Sequence, residues 1–325
     1  MKYRHLGKTG ITVSEIGFGA WGIGGEMWQG SDDQESMRAL HKAAELGVNF
    51  FDTALAYGRG HSERLIGKFL KEFHSKLYVA TKIPPKNREW PARPGVDFRE
   101  VFPKQYIIDC TNESLKNLNV ERLDIQQFHV WDDAWTKESE IWEAIDQLKS
   151  QGKIGAFGIS INDNQPDNAL EAAKTGRVDT FQVIYNIFEQ SPDVELFPTC
   201  LRENIGVIVR VPFDEGGLTG SITPETIFPP NDWRNRYFRG ERKKQVEEHI
   251  EDLKVHLGNE APTLPELALR FCLSHHAVST VIPGMRTTAH VEKNVSVSDG
   301  RPLSLSLRND LQRHRWIRNF YGDED

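Results

Sequence analysis

The stretch "VNFFDTALAYG" (residues 48–58) decides how this chain is read. Its first five residues form a short run of strand length that ends on Asp52, and Tyr57 follows five positions later, just before Gly58. A carboxylate and a phenol set just past the end of a buried run raise one question: how many other such runs end the same way.

Seven others do. Strand-like pieces also fall at "EIGFG" (15–19), "LYVATK" (77–82), "LDIQQFHVW" (123–131), "IGAFGIS" (154–160), "TFQVIYN" (180–186), "GVIVRVP" (206–212) and "VSTVIPG" (278–284). Several are apolar on both faces and bounded by glycine, as buried parallel strands are. Helical patterns lie between them, for example "DDQESMRALHKAAELG", which Asp32 can cap and Gly47 can end. A weak helical pattern near 193–204 and one over 164–176, "NQPDNALEAAKTG", fill out the set. Eight strand–helix units without a break in composition predict an α/β fold, a (β/α)8 TIM barrel, with a doubly wound sheet as the alternative. The whole chain, 1–325, reads as one domain, because closed barrels of this kind run larger than the usual domain. Residues 1–14, "MKYRHLGKTGITVS", read as a β-hairpin that closes the bottom of the barrel. Two irregular stretches, 84–102 and 213–240, are too long to be simple connections and read as functional loops. The end of the chain, "GDED", reads as frayed.

The 325 residues carry 40 Lys+Arg against 47 Asp+Glu, a formal charge of -7. No basic block invites nucleic acid or an anionic membrane surface. No run approaches the 18 apolar residues of a membrane helix. The three cysteines, Cys110, Cys200 and Cys272, form no CxxC and suit a reducing compartment. The N-terminus has no signal-peptide pattern, so a cytoplasmic location is expected. No HxH, HExxH or CxxC is present, and no metal is expected.

In a barrel the chemistry lies at the C-terminal ends of the strands. Asp52 and Tyr57 follow the second strand there, Lys82 ends the third and His129 lies near the end of the fourth. Taken singly, each has a plainer use: a turn or cap for Asp52, a packed phenol, a snorkelling lysine, a core histidine. Together they form a chemical set. A phenol with an ordinary pKa near 10 is a proton donor at neutral pH. An adjacent ammonium would lower that pKa, a carboxylate would hold the ammonium, and an imidazole would orient a carbonyl. That is a site for protonating an oxygen while its carbon is attacked, worth about 10²–10⁴-fold in rate.

With these residues in place the sequence resembles the aldo-keto reductases. The likeness runs from "LGKTGITVSEIGFGAWGIGG" to "VIPGMRTTAHVEKN" and includes "FDTALAYGRGHSERLIGKFL", "VATKI", "GKIGAFGIS", "QVIYN" and "GLTG". The resemblance implies a nicotinamide cofactor, bound without a Rossmann domain, and reduction of an aldehyde or ketone by hydride transfer. It makes Tyr57 the proton donor, tuned by Lys82 and Asp52, with His129 orienting a small carbonyl substrate. It implies that Ser160 and Gln182 hold the carboxamide, although Ile161 rather than Asn follows the serine, with Asn162 one later. It implies that Pro212, Gly217, Leu218 and Gly220 wrap the pyrophosphate. The segment 285–325 would bring the cofactor helix and the tail. Gly284, just before it, and Arg286 would meet phosphate, with His290, Lys293 and Asn294 around the adenosine. Arg286 argues for NADPH over NADH by about 10–100-fold, the worth of one charge-assisted hydrogen bond. Arg210 stands where many relatives stack an aromatic on the nicotinamide, and its charge is expected to disfavour NADP⁺ relative to NADPH. Trp21, Trp28 and Trp131 are expected at the substrate mouth, Trp21 also against the cofactor, with Trp90 and Trp233 as lids. The alternatives are a cofactor-binding regulatory subunit or redox sensor with little turnover, a dehydrogenase of sugars or polyols, and a barrel hydrolase.

Overall fold

The computed structural model describes residues 1–317. Each of the eight strand-like stretches carries one barrel strand, the third ending one residue later than its stretch, at Ile83. After the hairpin strands β1 (Tyr3–His5) and β2 (Thr12–Ser14) come β3 (Phe18–Gly19), β4 (Phe50–Asp52), β5 (Tyr78–Ile83), β6 (Leu123–Phe128), β7 (Ile154–Ser160), β8 (Thr180–Ile184), β9 (Gly206–Arg210) and β10 (Val278–Val281). Strands β3 to β10 pair in sequence order, all parallel. Parallel bridges Ile16↔Val281 and Gly19↔Gly284 join the first of them to the last. At that seam the backbones touch: a Cβ on Gly19 would lie 2.6 Å from the carbonyl oxygen of Ile282, so the contact requires glycine. The result is a (β/α)8 barrel.

Helices cover the barrel where the pattern placed them. Asp32 caps Asp33–Glu45 by accepting from the Glu35 amide, and Gly47 follows it at φ 93°. Residues 164–176, expected to be helical, form a helix only over Leu170–Lys174. Asn164 takes a left-handed φ of 56°, and the Asp133 carboxylate accepts from the Glu171 and Ala172 amides, which sets the helix start late. The weak pattern near 193–204 becomes helix Leu196–Arg202.

The barrel interior explains where function can sit. Phe50, Ala80, Ile125, Ala156, Ile208 and Ile282 face inward and form one buried cluster with Leu6 and Val13 of the hairpin, which plugs this end. Side chains alternate along a strand with period two. The next inward positions towards the C-terminal ends are therefore Asp52, Lys82, Gln127 and Arg210, with His129 and Ser160 beyond. The lower barrel is apolar and filled; the upper barrel is polar.

The long loop 213–240 contains the turn Asp214–Thr219 and the short helix Arg234–Tyr237. Its base is pinned by Asp214, which accepts from Arg242 and from the Tyr237 hydroxyl. Its far end meets the loop after β3: the Trp233 amide donates to Met27 O (2.9 Å) and the Gln29 amide to Asp232 Oδ2 (3.2 Å). No helix among the described residues is long and apolar enough to cross a membrane. The tail residues 318–325, "GDED" among them, lie outside the described part.

Candidate active site

Lys82 is fully buried, and its ammonium has three neighbours. It donates to Asp52 Oδ1 (2.5 Å), to the Thr53 carbonyl (2.8 Å) and to the Tyr57 hydroxyl (3.4 Å). Strand pairing sets this arrangement. Asp52 on β4 lies beside Ala80 on β5, and Lys82 is the next inward residue along β5. The other oxygen of Asp52 accepts from the Gln182 amide (2.7 Å) and the Gln127 amide (3.4 Å). Gln127 went unread in the sequence, although its place two residues before His129 on an inward-facing strand marks it.

Tyr57 projects from the loop after β4, with its ring 5.7 Å from the His129 imidazole and 6.1 Å from Trp21. Burial pushes the phenol above its ordinary range; the Lys82 ammonium pulls it down and Asp52 adds to the rise. The expected lowering by Lys82 is thus outweighed by desolvation. Burial, with the Lys82 and Arg210 cations, holds His129 well below the usual 6.5. Its Nδ1 is buried without a hydrogen-bond partner. Trp90 stands edge-on to it at 5.8 Å.

The remaining residues separate by position. Trp21 also touches Trp28 (5.8 Å) and Trp233 (6.2 Å). Trp28 lies farther out, between the guanidinium groups of Arg234 (4.3 Å) and Arg286 (5.4 Å). Trp131 does not reach the mouth. It is fully buried among Phe128, Trp135 and Trp142, because the chain turns outward after His129. Ser160 and Gln182 are register partners on β7 and β8. Asn162 is occupied elsewhere, bonding both the amide and the carbonyl of Trp131. Arg210 donates to Ile161 O and Asp163 Oδ1. After it the chain turns sharply at Val211 (φ 55°) into buried Pro212, then through left-handed Asp214 and Glu215 to Gly217, Leu218 and Gly220. Gly284 is exposed, and a Cβ there would meet nothing. Arg286 Nη1 donates to Gln29 O (2.9 Å), its stem packed over Gly22. His290 and Lys293 are exposed and Asn294 is buried, on helix Thr288–Ser296.

These groups fit a nicotinamide head: Ser160 and Gln182 pair in register on adjacent strands, the Gln182 amide nitrogen held by Asp52 and its oxygen left to accept, and the His129 Nδ1 at the same end of the barrel lacks a partner. The sequence pattern of the Aldo/keto reductase family matches residues 15–313. The chain belongs to the aldo/keto reductase family. Among its relatives, it is 30% identical over 299 residues to aldo-keto reductase YhdN of Bacillus subtilis, covering 90% of this chain and 87% of that one. It is 31% identical over 311 residues to the NADH-specific methylglyoxal reductase of Escherichia coli, covering 91% and 93%. In structure it is similar to glycerol dehydrogenase AKR11B4 from Gluconobacter oxydans, with a TM-score of 0.79 at 26% identity over 98% of this chain and 97% of that one. This aldo-keto reductase is thus an oxidoreductase of a family that uses nicotinamide cofactors, and its polar inward-facing residues gather at the C-terminal mouth of the barrel.

Proposed function

We propose that this chain is a cytoplasmic single-domain reductase that converts aldehyde or ketone carbonyls to alcohols with a nicotinamide cofactor, NADPH in preference to NADH. The observation that carries this reading is the Lys82 ammonium, bonded at once to Asp52, Thr53 O and the Tyr57 hydroxyl beneath an open imidazole. A bound dihydronicotinamide supplies the hydride. Tyr57 gives its hydroxyl proton to the carbonyl oxygen. Because burial raises its pKa, the phenol is protonated at physiological pH, as a proton donor must be. The phenolate left behind faces the Lys82 ammonium, which Asp52 holds in place. The neutral His129 imidazole hydrogen-bonds the carbonyl and sets its direction. Trp21 and Trp90 give the mouth flat apolar sides, which favour aromatic or hydrophobic aldehydes. Ser160 and Gln182 hold the carboxamide, and the Pro212–Gly220 turn takes the pyrophosphate. Three free, buried cysteines accord with a reducing compartment.

The test is consumption of NADPH and NADH across aromatic aldehydes, short dicarbonyls and sugars, repeated with Tyr57→Phe. The variant keeps cofactor binding and loses most turnover, because only the proton is deleted. Failure to oxidise either cofactor with any carbonyl sinks the reading in favour of a cofactor-binding regulatory subunit. Equal affinity for the two cofactors removes the NADPH preference.

A further inference from the structure

The helix Thr288–Ser296 opens the segment assigned above to the adenosine end of the cofactor, and its first turn already holds an anion. Glu35 Oε1 accepts from the Thr288 amide (2.9 Å) and the Thr288 hydroxyl (3.3 Å). The carboxylate comes from another helix, Asp33–Glu45, and its backbone is fixed there because the Glu35 amide donates to Asp32 Oδ1 (2.7 Å). Arg38 grips the second oxygen (2.7 Å), and Lys42 with Glu292 (3.0 Å) ties the two helices together farther along. The Thr288 bond, then Arg38, hold the Glu35 carboxyl below its ordinary range, so it is ionised at neutral pH.

An N-terminal amide is a phosphate ligand in waiting, and a negative charge beside it both occupies the donor and repels a second anion. Two residues before Thr288 is Arg286, which attracts phosphate but is already bonded to Gln29 O and stacked on Trp28. The same corner therefore carries one feature that favours a 2′-phosphate and one that opposes it.

We propose that Glu35 is a specificity-determining residue that holds down the preference for the 2′-phosphorylated cofactor, so that Arg286 alone does not set it. The proposal rests on placing the adenosine end at 284–294. Glu35 lies more than twenty residues from Tyr57 in sequence and on the outer helix layer, so its effect is on cofactor choice and not on proton donation.

Glu35→Gln tests it cleanly. The amide oxygen can still accept from Thr288, so the cap remains and only the charge goes. Dissociation constants for NADPH and NADH are read from quenching of tryptophan fluorescence, with 2′,5′-ADP and 5′-ADP as competitors. Glu35→Gln should tighten NADPH and 2′,5′-ADP by roughly 3–10-fold, the scale of one charge at a helix end, and leave NADH and 5′-ADP within about twofold. Arg38→Met, which unmasks the carboxylate, should weaken the phosphorylated pair selectively. A purely structural cap would change thermal stability and leave both ratios alone. Equal tightening of both cofactors, or an unchanged ratio in both variants, overturns the proposal. Absence of binding by either cofactor overturns the reductase reading itself, and this inference with it.

Discussion

Arg210 Nη2 lies 2.5 Å from Asp163 Oδ1, and the same nitrogen donates to the carbonyl of Ile161. The guanidinium at the end of β9 is thus pinned to the segment after β7, with a carboxylate against its charge. A bare cation there would repel the positive ring of NADP⁺; one paired with Asp163 repels it less. Asp163→Asn should raise the ratio of the NADP⁺ to the NADPH dissociation constant by about 3–10-fold, and Arg210→Tyr should lower it, on the scale of a partly buried charge contact. Parallel fluorescence titrations of both redox forms measure it. A ratio indifferent to both substitutions would show that Arg210 does not sense the nicotinamide charge.

His129 makes a second prediction. Its imidazole is held well below 6.5, first by burial and then by Lys82 and Arg210. In the unfolded chain it takes up a proton near pH 6.5; in the folded protein it does so only at much lower pH. Stability linked to this group is complete above about 6.5 and falls as the pH drops towards the folded value. The pH profile of kcat/KM should accordingly show no limb from His129 between about pH 6.5 and 9. His129→Gln, which keeps a donor but cannot titrate, should lose roughly 10-fold in kcat/KM with the neutral part of the profile unchanged. A limb near 6.5 that vanished in this variant would show a charged imidazole instead.

Much of this was legible in the sequence for physical reasons. Eight strand-like runs are visible, several of them apolar on both faces and bounded by glycine, because a strand covered on both faces has little room for polar residues. Asp52, Tyr57, Lys82 and His129 could be read because each falls at or just beyond a strand end. What stayed hidden depends on contacts between distant elements. Glu35 looks like any acidic residue in a first helical turn, and only packing shows its carboxylate on Thr288, 253 residues away. Trp131 sits near a strand end like the others, yet the turn after His129 buries it with Phe128 and Trp135. Lys82 lowers the Tyr57 phenol as expected, but the net rise stayed hidden because a list of neighbouring charges contains no desolvation.

The hairpin plug gives a stability test. Leu6 and Val13 are fully buried against the inward-facing Phe50, Ala80 and Ile208. Gly206 leaves room for this contact, since a Cβ there would lie 2.7 Å from Leu6 Cδ1. Leu6→Ala should cost about 2–5 kcal/mol, as emptied core sites do, and is read by denaturant unfolding. Because the plug lies at the opposite end of the barrel from Tyr57, the surviving folded fraction should keep its kcat. A loss below about 1 kcal/mol would mean that the hairpin adds little to the barrel.

Glu215 supplies the sharpest pH signature. It sits at φ 55° in the turn after β9, and its carboxyl is pushed up to about 8 by burial, with Asp163 and Asp214 adding and Arg210 and Arg234 opposing. Between about pH 4.5 and 8 the folded protein keeps a proton there that the unfolded chain has released. Stability therefore falls as pH rises through that window and levels off above it. The side chain is only partly covered, which leaves about 1–2 kcal/mol after solvent screening. Glu215→Gln removes the ionisation. Its melting temperature should match the parent near pH 4.5 and exceed it by a few degrees at pH 9. Thermal unfolding at pH 5, 7 and 9 decides the matter: a gap that failed to widen with pH would mean that Glu215 is already charged in the native turn.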